Sequence, residues 1–183
     1  MPLIDISEGN LTISVPENRY FRFEDSQTYD SVKANGLTEA DLAWMVDEEN
    51  ALWIMELKDY GPQSQGQLAQ AREKLRTRLP KNIAHAVLLV SAVWANTPLG
   101  NKLRQDIEQT FPEFPDEALP IKAVAVINVE NTDIPLIGPL SDAVRAALDA
   151  FELDIVLVLP ASSDRLEADL GIRIEEVPGE ALR

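Results

Sequence analysis

A chain of 183 residues with 45% hydrophobic residues is long enough for one compact core and short for two, so a single domain over 1–183 is expected. The absence of cysteine excludes disulfides, thiolate metal sites and a cysteine nucleophile. A formal charge of −15 disfavours a surface broadly attractive to nucleic acid. "MPLIDISEGN" lacks the basic start and long apolar core of a signal peptide, and no apolar run reaches membrane-spanning length, so a cytoplasmic protein with no membrane partner is expected.

Residues 1–36 form a β-rich extension in this reading. "LTISV" and "YFRFE" alternate as strands do, "SEGN" and "VPEN" are turn formers, and "SQTYDSVKANG" is a poor helix sequence. From Asp41, "DLAWMV" and "ALWIMELK" predict a hairpin around "DEEN", closed by a break at Gly61-Pro62. "QGQLAQAREKLRTRL" is helical, with Leu68, Ala71, Leu75 and Leu79 on one face and Gln67, Gln70, Lys74 and Arg78 on another; Pro80 marks its expected end. "AHAVLLVSAV" then reads as a strand buried on both faces, which closes a core unit over 37–93.

Further α/β units follow over 94–160. "TPLGNKLRQDIEQTF" has the Thr-Pro start of a helix, "IKAVAVINV" is a strand, "PLSDAVRAALDAF" is a helix with Ser141 as N-cap, and "DIVLVLP" is a strand. In the tail, 161–183, "IRIEEVP" either adds an edge strand or stays loose. The alternation implies an α/β fold with a mixed central sheet flanked by helices.

Strand parity singles out a cluster in the hairpin. Leu42, Trp44, Val46, Ala51, Trp53, Met55 and Leu57 share the core side, which sends Asp41, Ala43, Met45, Leu52, Ile54, Glu56 and Lys58 to the opposite face. A two-residue turn at Glu49-Asn50 places Asp41 across from Lys58 and Glu56 across from Ala43, so two carboxylates and a lysine converge at the open end. Asp47 is nearer to Glu56 in sequence, but this register puts it beside the turn, roughly 13 Å away at about 3.3 Å per residue.

Asp41, then fourteen residues, then Glu56-Leu57-Lys58, on a hairpin followed by a helix, resembles the PD-(D/E)xK nuclease superfamily and its restriction-endonuclease-like fold. The resemblance covers roughly residues 37–93, with Glu39-Ala40 where the family's proline would precede the acid. It implies that Asp41, Glu56 and the Leu57 carbonyl hold Mg²⁺ or Mn²⁺, that Lys58 stands beside the attacking water, and that Gln67 or Gln70 supplies the glutamine some members carry on the next helix. Nucleic acid is then the substrate, and a homodimer is a further implication of the likeness. The chemistry is consistent: a hard cation takes carboxylate oxygens, polarises a phosphodiester and lowers the pKa of a water.

Five of the sixteen basic residues, Arg72, Lys74, Arg76, Arg78 and Lys81, fall within "REKLRTRLPK". This positive island would bring phosphate to an otherwise acidic chain. Other motifs carry less. His85 is the only histidine and begins the expected buried strand, so a structural role is favoured; "GPQSQGQ" lacks a Walker lysine; Trp44, Trp53 and Trp94 belong to packing. Two other function classes compete with a nuclease. One is a non-catalytic protein in which Asp41 and Lys58 form a cross-strand ion pair and Glu56 is a rim acid. The other is an acidic interaction protein that attracts a basic protein partner.

Overall fold

A computed structural model describes residues 3–16, 20–46, 50–60, 67–107, 120–129, 133–170 and 172–176. Two sheets carry the architecture. Strands β1 (Leu3–Glu8) and β2 (Leu11–Pro16) form an antiparallel hairpin, and β8 (Arg173–Glu176) pairs antiparallel on the other side of β2. The larger sheet has the order β3 (Tyr20–Phe21), β4 (Leu42–Val46), β5 (Ala51–Tyr60), β6 (Ile121–Val129) and β7 (Ile155–Pro160). Its first two pairings are antiparallel and its last two parallel, so the expected mixed sheet flanked by helices is present.

Both faces of the large sheet are buried. Leu42, Trp44, Trp53, Met55 and Leu57 face the small sheet and pack with Ile6, Ile13 and Val15, whereas Ala43, Leu52 and Ile54 face helices. The expected parity of the hairpin therefore holds, but its second face is a second core and not a solvated rim. Trp44 and Trp53 stand directly across from each other and stack with centroids 5.9 Å apart.

Helix α2 runs over Gln67–Trp94 and corrects two expectations at once. Pro80 lies inside it, and "AHAVLLVSAV" is its second half instead of a strand. Leu79, Ile83, Ala86, Val90 and Val93 are buried at helical spacing while Leu88 is 53% exposed, a one-sided pattern that a helix lying on a sheet produces. An apolar run of that length does not by itself distinguish such a helix from a buried strand. The strand that follows α2 beside β5 is β6, so the hairpin, helix and parallel strand extend to Val129 and not to residue 93.

The remaining differences are local. "SQTYDSVKANG" contains helix α1 (Gln27–Lys33), capped by the Ser26 hydroxyl, which accepts from the Tyr29 N–H at 3.1 Å. "YFRFE" keeps only two strand residues before a 3₁₀ turn at Phe23–Asp25. Helix α3 (Pro98–Ile107) begins at the expected Thr-Pro and crosses α2 closely at Gly100, where a Cβ would collide with the Ala92 carbonyl oxygen. Helix α4 (Ile137–Leu148) begins before Ser141, which is an internal residue and not its N-cap. The short α5 (Arg165–Leu170) leads to β8, so "IRIEEVP" supplies an edge strand, and it joins the N-terminal sheet. Among the described residues no single helix is long and apolar enough to cross a membrane.

Candidate functional site

The hairpin register is two residues away from the expected one. Val46 pairs with Ala51 and Leu42 with Met55, which leaves four residues in the loop and brings Asp41 level with Glu56 instead of Lys58. The loop includes Asn50 at φ 44°, a left-handed conformation that asparagine tolerates. Because the slip is even, no side chain changes face. Asp47 lies outside the described residues.

The three residues singled out by parity do meet, and each is held by identifiable contacts. Asp41 Oδ2 accepts the Leu57 N–H at 2.6 Å, which fastens the loop before β4 to the middle of β5. The Lys58 ammonium lies 2.6 Å from Glu56 Oε1, donates to the Leu57 carbonyl at 2.7 Å and stands 3.5 Å from Asp41 Oδ2. Glu56 is fully buried, so it is no rim acid. On β6 its neighbour in register is Ala125, whose small side chain takes little of the space beside the carboxylate.

Two α2 residues absent from the sequence-based site complete the frame. Asn82 donates its amide to Glu56 Oε1 at 2.7 Å. His85, one turn further on, accepts the Thr38 N–H on Nδ1 at 3.0 Å and so anchors the segment that delivers Asp41. Burial, with Lys81 nearby, holds the His85 pKa below its ordinary value and favours the neutral ring this contact needs. Asn82 continues the face of Gln67, Gln70, Lys74 and Arg78, a helical periodicity visible in the sequence. The side chains of Gln67 and Gln70 lie outside the described residues; their positions in α2 are about 22 and 18 Å along the axis from Asn82, at about 1.5 Å per residue.

Electrostatically the cluster is costly, with two acids sharing one ammonium. Burial pushes the Glu56 carboxyl up to about 8, with Asp41 adding to the rise and Lys58 and Asn82 opposing it. Burial works to lower the Lys58 ammonium, but Glu56 and Asp41 together leave it above the ordinary lysine value. The 2.6 Å contact ties the two titrations together, so the proton belongs to the pair and not to either residue alone. Glu39, two residues before Asp41, is also raised, to about 7, chiefly by burial, with Asp41 adding to the rise.

The donor set suits a hard cation in one respect and resists it in another. Glu56 Oε2 is buried and finds no hydrogen-bond partner among the described residues, which leaves one carboxyl oxygen able to meet a ligand. Yet one oxygen of each residue that the resemblance assigns to a metal, Asp41 Oδ2, Glu56 Oε1 and the Leu57 carbonyl, lies within 3.5 Å of the Lys58 ammonium. No group of three His, Cys, Asp or Glu side chains is gathered for a metal among the described residues. Of the basic island, Lys74, Arg76, Arg78 and Lys81 are exposed, Arg76 pairs with Glu73 at 3.3 Å, and Arg72 is half-buried with Nε unpartnered among the described residues. Comparison of the chain with protein-family models, curated proteins and solved structures gives no match.

Proposed function

We propose that this protein is a Mg²⁺-dependent nuclease with a restriction-endonuclease-like core, hydrolysing phosphodiester bonds of nucleic acid. The observation that carries the reading is the convergence of Asp41, Glu56 and the Leu57 carbonyl on one cation, the Lys58 ammonium. The element order supports it: an antiparallel hairpin that carries the acids, then helices α2 and α3, then a strand parallel to the hairpin's second strand.

In this reading Asp41, Glu56 and the Leu57 carbonyl hold the metal, which when bound supplies Lewis-acid polarisation of the phosphodiester and a water of lowered pKa. Lys58 moves off the shared oxygens toward the reacting phosphate and stabilises the charge that develops there. Asn82 keeps Oε1 of Glu56 occupied, so that Oε2 is the oxygen presented. His85 and the Leu57 N–H fix the approach of Asp41. Lys74 and Arg78, on the Asn82 side of α2, draw phosphate toward the site.

Calorimetric titration of Mn²⁺ into the wild type and Asp41→Ala, paired with a nuclease assay in Mn²⁺, tests the proposal. Binding by the wild type, lost in Asp41→Ala, with cleavage that follows it, is the expected result. A wild type that neither binds Mn²⁺ nor cleaves overturns it.

A second reading is favoured by the same contact. With Lys58 lying against the cluster, and −15 of net charge on the whole chain, the hairpin is also the interior of a non-catalytic acidic protein that binds a basic protein partner. Salt-sensitive binding to a basic protein, with no Mn²⁺ uptake, selects that reading.

A further inference from the structure

Glu56, Lys58 and Tyr60 alternate along β5 and so point to the helix-covered face together, and Tyr60 packs against the cluster containing Leu75 and Leu79 of α2. The helix contributes a second ladder. Asn82 touches Glu56, and Arg78 precedes it by one turn, about 40° round the helix axis from it. Tyr60 is displaced along the strand from Glu56 by about 13 Å for four residues, against about 6 Å for Arg78 along the helix, a difference that the length of the arginine side chain spans. The two ladders therefore advance together from the acidic cluster toward a cationic end.

The chemistry of that end is specific. Arg78 is exposed and has a guanidinium able to meet a phosphate with two parallel N–H donors. Tyr60 is partly buried; burial raises its hydroxyl above the ordinary tyrosine value against the pull of Lys58 and Arg78, so it remains a proton donor at neutral pH. Arg76 differs: it is paired with Glu73 and lies about 120° from Asn82 round the helix.

We infer that Tyr60 and Arg78, with Lys58 at their edge, form a subsite for the phosphate next to the scissile one in a nucleic-acid strand. The inference rests on the nuclease reading for its name of substrate, but its test needs no catalysis. A fluorescein-labelled 12-nucleotide DNA is titrated with protein in EDTA and followed by anisotropy. Arg78→Ala should weaken binding about tenfold, as loss of a charged hydrogen bond implies, and Tyr60→Phe about threefold. Lys102→Ala, which removes an equal charge from the exposed surface of α3, should stay within about twofold. A single methylphosphonate linkage moved along the DNA should weaken wild-type binding at one position and leave Arg78→Ala indifferent there.

Equal losses for Arg78→Ala and Lys102→Ala, wild-type affinity in both Arg78→Ala and Tyr60→Phe, or a wild type that does not bind the DNA would each overturn the subsite. Failure of the nuclease reading looks different: Mn²⁺ binding and cleavage are missing while the Arg78 and Tyr60 effects on DNA binding persist.

Discussion

Lys58 and Asn82 are the two side chains that make a fully buried glutamate tolerable in the middle of β5. Asn82→Ala removes one of them and should cost about 1–3 kcal/mol in urea unfolding, since the lost bond goes to a charged group. The same change should weaken Mn²⁺ binding about tenfold or more in calorimetry, because a residue that orients a ligand is nearly as important as the ligand. Lys58→Met leaves the carboxylate without its counter-charge and should lower stability by about 3 kcal/mol, the low end for a broken buried pair because the Lys58 side chain is 25% exposed. If the oxygens around Lys58 are a metal site, Mn²⁺ should raise the melting temperature of Lys58→Met more than that of the wild type. A variant whose melting temperature ignores Mn²⁺ would mean that the lysine is the only cation the cluster accepts.

At the level of elements, the site depends on how α1, α2 and α3 are tied to the sheet. Asp106 in α3 accepts the Ser26 hydroxyl and the Thr28 N–H, both at 2.8 Å, and so joins α3 to the start of α1. The hydrogen bonds from Thr28 and Ser26 hold its carboxyl below the ordinary value of 3.8. A carboxylate whose folded pKa is depressed stabilises the fold above its unfolded pKa and loses that contribution as pH falls through the folded one. The stability gap between wild type and Asp106→Ala should therefore be constant near neutrality and close below about pH 3.8 in pH-dependent denaturation. Helix α2 does more than cover the sheet, because Asn82 and His85 on one side of it fix both acids of the hairpin. The second half of α2 was misleading in the sequence for a physical reason. Its outer face is also largely small and apolar, so the contrast between buried and exposed positions that marks a helix is weak.

Across the whole molecule, the N-terminal hairpin and the C-terminal strand close over the face of the large sheet opposite α2. Asp59, at the end of β5, accepts from the backbone and side chain of Asn10 at 2.9 and 2.8 Å, and a Cβ at Gly9 would stand 2.7 Å from its carboxylate. The two sheets are thus joined by packing and by a polar clasp one residue beyond Lys58. Ile13→Ala, at a fully buried position of β2, should cost about 2–5 kcal/mol. Tryptophan fluorescence and far-ultraviolet circular dichroism should still report one shared transition, since Trp44 and Trp53 belong to the same core as Ile13. Separate transitions would show the small sheet unfolding on its own.

The residues that converge were legible because a strand has a period of two: Asp41, Glu56 and Lys58 keep their common face under any even slip, and the actual slip is two residues. Strands β6 and β7 were legible for a related reason, since their runs of valine, isoleucine and leucine are too short for a core helix and are bounded by helical segments. What Glu56 touches was not legible. Asn82 is 26 residues away, and only the laying of a single unbroken α2 across β5 brings its amide to the carboxylate. The sequence by itself determined which side chains share a face, because that follows from backbone periodicity. The tertiary structure decided that this face is buried and that Lys58 is drawn onto its two acids, because burial and charge pairing arise only when distant elements pack together.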